Sequence, residues 1–536
     1  MSLSSLPIPR ENPFIGATYG RALRTLAQTF GAREALVFGG RRWTFADVLV
    51  EADRAAARLH ALGLRSGDKV AIWLPNRPEF LWYWLGASQS GLVAVVLNTR
   101  LTPGEAEYQM GQSDSRAVIV PGDGGFRDFV GDVLALKARL PCLDYVVALE
   151  GTSQQGVIDW SGPVPGGLRA APLATDPEAP ALISYSSGTT ALPKGALITH
   201  CVFRKAWDIG IRVDQTEEDR LLLAIPLFGS MAMMNGVLLL WARGGAIVVT
   251  ERFDAAEFVA LAQRERCTVA HLLPPMVLAI GRLPGFDAKA LSSIRVAYVL
   301  SNDLEMLSFV ADRLRIPGIM TGYGLTESTT VATRNRWDDP QHVRFTTQGY
   351  ALPGVELRVV QPGTENPQPP GEVGEIWIRG YCIMKGYYKK PVETASAVDR
   401  DGWLHTGDAG ILHADGRLTF LYRLSEGYKT NGFNVAPAEI EAAIRKHPDV
   451  ADVAVIGRND PVVGQVGVAC VVAHEGRTID EVALLAFLKP ALASYKMPRH
   501  VIQVDAFPLT AGTGKVQKFR LRAEVEPLLP PVRALA

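Results

Sequence analysis

"GAIVVTERFDAAEFVALAQRERCTVAHLLPP", residues 245–275, opens on a β-branched apolar run, continues with helix-like spacing of apolar residues and closes on a second apolar run. Strand, helix and strand in that order favour a βαβ unit, and runs without polar alternation favour parallel sheet buried on both faces. The same alternation comes earlier, where "KVAIWL", "AVVLN", "AVIVP" and "YVVALE" are interspersed with helical stretches such as "TFADVLVEADRAAARLHALG". The bulk of the chain therefore reads as layered α/β. "VQPGTENPQPPGEVGEIWIRG" (360–380) departs from this, because Pro and Gly turns flank alternating apolar residues and predict hairpins in a β-rich unit at about 350–422. Further on, a helix carries Glu439 and Glu441 early and Arg445 and Lys446 late, as a helix dipole prefers. Two more strands follow it, "ADVAVIGRND" and "GVACVVAHEG". The expected division is an N-terminal domain over 1–425, holding the β-rich subdomain, and a small α+β C-terminal domain over 426–536.

A chain of 536 residues is too long for one core, so at least two domains are expected. Lys plus Arg and Asp plus Glu are both 55; without a basic field, nucleic acid is not an expected partner. The five cysteines lie far apart with no metal-ligand spacing, which suits free thiols in a reducing compartment and points to the cytoplasm. The first residues lack a basic region followed by an apolar run, and "VLLLWA" ends after six residues at Arg243, far short of the about 20 a bilayer span needs. No signal peptide and no integral membrane association are expected.

The chemistry starts at "YSSGTTALPKGA" (185–196). A Gly-permitted turn offers backbone N–H groups, Ser186, Ser187, Thr189 and Thr190 offer hydroxyls, and Lys194 offers a cation, a set able to hold a polyphosphate. The common phosphate loop is excluded, since Pro193 and Gly195 stand where it needs Gly and Ser or Thr. On its own this stretch would serve equally as a polar surface turn. It resembles, however, the phosphate-binding signature of the adenylate-forming enzyme superfamily: acyl-CoA synthetases, adenylation domains of nonribosomal peptide synthetases and beetle luciferases. Ala191 departs from the Gly usual there.

Four more motifs of that superfamily occur in order. "TGYGLTES" (321–328) is similar to the segment in which Thr326 would touch phosphate oxygens and Glu327 would hold Mg2+, with Gly322 and Tyr323 beside the nucleotide. "GWLHTGD" (402–408) ends in Asp408, which the resemblance makes the clamp on both ribose hydroxyls. "LYRLSEGYKTNGFNVAPAEIE" (421–441) resembles the hinge and thioester-forming segment: Arg423 would contact ribose, Glu426 would be the pivot, Lys429 would lie near the adenylate phosphate and Gly432 would let pantetheine pass. Tyr422, Ser425 and Gly427 depart from the usual hinge. "PLTAGTGKVQK" (508–518) supplies Lys515 as the adenylation lysine, a cation able to neutralise charge developing between carboxylate and α-phosphate. The adenine segment is the least well matched: in "YVLSNDLEM" (298–306), Asn302 could hydrogen-bond adenine, face the acyl group or simply end a strand.

The resemblance, closest to the acyl- or aryl-CoA ligases, implies ATP-dependent activation of a carboxylic acid through an acyl-adenylate. Mg2+ would assist, and transfer to coenzyme A or to a carrier protein's phosphopantetheine would release AMP. It further implies a mobile C-terminal domain with two working poses and a monomer or homodimer. "PLFGSMAMMNG" (226–236) would line the acid pocket through Phe228, Gly229, Met231, Met234 and Asn235. Gly229 replaces the bulky gate of many CoA ligases, and methionines adapt to irregular apolar shapes, although ordinary helix core would read the same way. No acidic residue there awaits a substrate ammonium, so an apolar aryl, alicyclic or medium-to-long aliphatic acid is expected. Alternatives are a ligase that loads a carrier protein, an enzyme of one half-reaction, a luciferase-like oxygenase and a non-catalytic acyl or nucleotide sensor. His200 and His405 read as structural.

Overall fold

The computed structural model describes residues 11–122, 126–162, 166–186, 192–424, 426–430, 433–435, 437–460, 463–510 and 515–530. Two compact units emerge: 11–186, 192–356 and 378–404 form the first, and 357–377 with 405–530 form the second. The sequence-based division at 425 follows the hinge motif rather than compactness.

The first unit contains two seven-stranded sheets. One runs in the order Gly318–Met320, Val296–Val299, Val269–Leu272, Arg220–Leu223, Ala246–Val249, Glu34–Phe38, Arg41–Thr44, and all its pairs are parallel until the last. The opening βαβ stretch supplies two of its strands, Ala246–Val249 and Val269–Leu272, joined through helix Ala255–Arg264. Every residue of both strands is buried, which is why the sequence shows no polar alternation there. The second sheet runs Ile158–Asp159, Tyr145–Ala148, Ser115–Val120, Lys69–Ile72, Val93–Val96, Leu182–Ser186, Lys194–Ile198. Trp73 and Phe129 meet edge to face in its core, with centroids 5.1 Å apart. Complete burial of each large apolar side chain of this kind contributes about 1.5–3 kcal/mol.

The last pair of that sheet is an antiparallel hairpin with Tyr185 opposite Gly195 and Ser186 opposite Lys194. Its outer edge is covered by a later segment: Tyr388 N–H donates to the Gly195 carbonyl at 2.8 Å, Lys385 N–H to Leu197 at 2.9 Å, and Leu197 N–H to Gly386 at 2.9 Å. A small antiparallel sheet follows, with Gly322 opposite Arg334 and Tyr323 opposite Thr333.

The stretch expected to form hairpins gives a four-stranded sheet, Val355–Val360, Val373–Gly380, Leu404–Leu412 and Leu418–Arg423. In the second unit, long strands Val450–Asp460 and Gly464–Ala473 pair antiparallel, and helices Pro437–Ile444 and Glu481–Leu488 pack on them through Ile440, Ile444, Leu484 and Leu488. The five cysteines are free, with Cys267, Cys382 and Cys470 buried and Cys142 and Cys201 half-buried. Among the described residues no helix is long and apolar enough to cross a membrane.

Candidate adenylate-forming site

In the first unit, Thr326 and Glu327 lie on a single 3-10 turn, Thr326–Ser328. The two residues after it, Thr329 and Thr330, have φ of 57° and 75°. Left-handed backbone is costly for β-branched residues, about 1–3 kcal/mol each, and persists where surrounding bonds enforce it. Here Thr330 N–H donates to the Leu325 carbonyl at 2.8 Å and the Thr329 hydroxyl to the Cys382 carbonyl at 2.6 Å. Gly324 is required as well, because a Cβ there would lie 2.2 Å from the Thr330 carbonyl oxygen.

Glu327 is fixed by a residue that the sequence did not mark. The Tyr387 hydroxyl donates to Glu327 Oε1 at 2.7 Å, and Lys194 Nζ lies 4.5 Å from the centroid of the same ring. Met384 N–H bonds the Glu327 carbonyl at 2.8 Å. The proposed metal-holding carboxylate and the proposed phosphate lysine are thus joined through one aromatic side chain. The only signal in sequence is the Tyr pair after Gly386, inside a stretch read as part of the β-rich unit.

Ser186 ends its strand opposite Lys194, while its side chain lies outside the described residues, as do Ser187, Gly188, Thr189, Thr190, Gly432 and the Lys429 side chain. Gly322 and Tyr323 form the short strand leading to the Thr326 turn. Asn302 is exposed after strand Val296–Val299 and accepts from Gln348 Nε2 at 3.3 Å. Of the acid-pocket residues, Phe228, Gly229 and Met231 are half-buried, and Met234 and Asn235 are buried. Met233–Val237 is a π-helical turn, a local form frequent at functional sites. Asn76 was also missed: its side chain accepts from Leu227 N–H at 2.6 Å and donates to the carbonyls of Ile225 and Thr250, fixing the entrance to this segment.

In the second unit, Asp408 is 2% exposed and stands opposite Arg423 in the strand register, with Oδ1 and Arg423 Nε 2.9 Å apart. Gly407, the strand residue before Asp408, has φ of 68°, and its N–H donates to Glu375 at 3.0 Å. His405 stacks on Trp377 at 3.8 Å. Lys515 is exposed as a residue, yet its ammonium sits in crowded surroundings that hold it below the ordinary lysine range. Desolvation is the first cause and Arg423 the second, while Glu426 and Asp408 oppose them. Lys515, Asp408, Arg423 and Glu426 therefore share one electrostatic neighbourhood. Glu426 also lies 3.9 Å from Lys518 Nζ. Two of the hinge departures complement each other: a Cβ at Gly427 would lie 2.6 Å from Tyr422 Cε2, so the ring occupies the space the glycine leaves.

Glu327 and Thr326 offer hard oxygen donors suited to Mg2+. No cluster of three or more His, Cys, Asp or Glu able to hold a metal occurs among the described residues. A cation at Glu327 would accordingly take its remaining ligands from phosphate and water.

The chain matches the AMP-binding enzyme family over residues 23–388 and that family's C-terminal domain over 439–515. It belongs to this adenylate-forming family, and among its members to the AMP-forming acyl-CoA ligases. It is 33% identical over 524 residues to 4-coumarate–CoA ligase 2 of Nicotiana tabacum, covering 94% of this chain and 93% of that one. It is 32% identical to YngI of Bacillus subtilis, a protein assigned to the acyl-CoA synthetases, over 95% and 97% of the two chains. Among solved structures, ATP-bound MatB from Rhodopseudomonas palustris superposes with a TM-score of 0.83 at 27% identity, covering 95% of this chain and 99% of that one. The anthranilate–CoA ligase AuaEII in complex with anthranoyl-AMP gives 0.84 at 25% identity, with coverage of 99% and 100%. The mixed α/β fold expected from sequence is the fold of these enzymes, and such neighbours support ATP binding.

Proposed function

We propose that the protein activates a carboxylic acid with an apolar body as its acyl-adenylate and then passes the acyl group to coenzyme A. The acid's carboxylate oxygen attacks the α-phosphorus of ATP, the bond to the bridging oxygen breaks and pyrophosphate leaves. The thiol sulfur then attacks the acyl carbon, giving up its proton, and AMP departs with the carboxylate oxygen. Asp408 accepts hydrogen bonds from the ribose hydroxyls, Arg423 neutralises and orients it, Lys194 and the 186–190 loop hold the outer phosphates, and Thr326 contacts phosphate oxygen. Mg2+ bound by Glu327 would supply charge neutralisation on the phosphates. Lys515 places its cation where negative charge grows during adenylation. The observation that carries this reading is geometric: buried Asp408 pairs with Arg423, and Glu327 is bonded to Tyr387, whose ring Lys194 faces. The buried Met233 and Met234 support an apolar wall for the acid.

Acid-dependent exchange of labelled pyrophosphate into ATP, followed by addition of coenzyme A or of a carrier protein, tests the reading. Lys515→Ala is expected to lower exchange by roughly 100-fold or more while thioester formation from pre-made acyl-adenylate stays largely intact. Equal loss of both halves would sink that division of labour. Thioester formed only on the carrier protein would move the acceptor from coenzyme A to phosphopantetheine.

A further inference from the structure

Four polar side chains of the first unit meet in its interior where no carboxylate answers them. Arg334 is 3% exposed, and Nη2 donates to Asn235 Oδ1 at 3.0 Å. Its guanidinium lies over the Tyr298 ring, 4.8 Å from the centroid, and Nε has no hydrogen-bond partner. His271, fully buried, meets Tyr298 edge to face at 5.1 Å and lies beside the Asn235 backbone. Among the described residues, no Asp or Glu forms an ion pair with Arg334. An uncompensated buried cation is among the most costly features a fold can carry, and burial holds even this guanidinium down to about 10.

The position of the cluster gives that cost a use. Asn235 belongs to the segment proposed to line the acid pocket, on its π-helical turn. Arg334 stands opposite Gly322, on the strand that leads to the Thr326 turn. Glycine flanks the cluster on two sides: a Cβ at Gly236 would lie 3.1 Å from His271 Cε1, and one at Gly322 would lie 3.2 Å from Arg334 Cζ. What the guanidinium lacks is an acceptor-only anion, able to take the Arg334 Nε–H and neutralise the charge. A carboxylate does both; a hydroxyl or carbonyl leaves the charge in place.

We propose that Arg334, Asn235, His271 and Tyr298 form the distal end of the acid pocket and bind a second carboxylate, so that the substrates are dicarboxylic acids activated at the carboxylate remote from Arg334. This rests on the ligase reading and deepens it: the body of the acid stays apolar, against the methionines, while its far end is anionic.

The test compares α,ω-dicarboxylic acids with monocarboxylic acids of equal carbon number in pyrophosphate exchange, for wild type, Arg334→Met and Arg334→Lys. Wild type is expected to favour the diacids in kcat/KM on the order of 100-fold, the scale for leaving one member of a buried charge pair unpaired. Arg334→Met should erase or reverse that preference, chiefly through KM, with its melting temperature unchanged or raised because an unpaired buried charge is gone. Arg334→Lys should keep the preference in weakened form. Wild-type preference for the monoacids would overturn the proposal, as would a folded Arg334→Met variant with the diacid preference intact. Thermal-shift titration with the diacids alone separates this from the ligase reading. Diacid binding that depends on Arg334 without any exchange would keep the site and sink the ligase, whereas exchange with monoacids only would keep the ligase and sink the site.

Discussion

Glu327 is held at both ends, its carboxylate by the Tyr387 hydroxyl and its carbonyl by Met384 N–H. A carboxylate meant to hold a cation gains from such fixing, because a rotamer already set need not be ordered on binding. On the roles proposed for Glu327 and Lys194, Tyr387 would be a positioning residue, acting through the Glu327 carboxylate and, by its ring face, on Lys194. Tyr387→Phe removes one hydrogen bond to a charged group, worth about 1.5–3 kcal/mol, and keeps the ring. The expected result is a roughly tenfold or greater rise in the KM for Mg-ATP and a shift of the magnesium dependence to higher concentration. Tyr387→Leu should add a loss at Lys194. Unchanged magnesium dependence in Tyr387→Phe would remove the residue from the site. The sequence made Glu327 and Lys194 visible because each sits in a short contiguous motif whose chemistry is local. Tyr387 is 60 residues from Glu327, and Arg334 is 99 from Asn235. Such partners are made by tertiary pairing and leave no periodicity to read.

At the scale of elements, the hairpin Leu182–Ser186 and Lys194–Ile198 carries the described ends of the motif proposed to bind phosphate, and the 385–388 segment closes its free edge. The motif's Gly195 has a packing role there, since a Cβ would lie 2.7 Å from Ile183 Cγ2 and 3.3 Å from the Tyr185 ring. Gly195→Val would push both strands apart at the base of the loop, at about 1–3 kcal/mol. A lower melting temperature and a weaker ATP affinity are expected together; an unaltered melting temperature would show that the hairpin yields without strain. The βαβ order was legible because fully buried strands read as unbroken apolar runs. The edge pairing was not: residues 384–388 look like one more turn of the β-rich stretch, and nothing local names strand Lys194–Ile198 as their neighbour. The π-helical turn was equally hidden, because a shift in backbone hydrogen-bond spacing leaves the same Met-rich composition.

For the molecule as a whole, two buried imidazoles contribute strongly to the response to acid. His200 accepts from Tyr19 N–H at 3.1 Å, and burial lowers its pKa to about 4; His271 is lowered to about 3, by burial first and Arg334 second. Both are neutral when folded, while the unfolded chain binds their protons below about pH 6.5. The unfolded state holds more protons throughout that window, so stability falls as pH drops from about 6.5, by up to about 1.4 kcal/mol per pH unit for each histidine. On the alkaline side opposite signs compete. Lys205, lowered to about 8 by burial, adds stability as pH rises towards 10.5, whereas burial raises Cys382 to about 11 and Cys267 and Cys470 to about 12, so these three thiols lose it above 9 and outweigh the lysine. His200→Gln keeps an acceptor for Tyr19 N–H and cannot be protonated. Denaturant unfolding followed by tryptophan fluorescence from pH 7 to 4 should therefore show a shallower loss of stability in the variant, by one histidine's share. Parallel curves for variant and wild type would mean that His200 takes up its proton in the folded state as readily as in the unfolded chain.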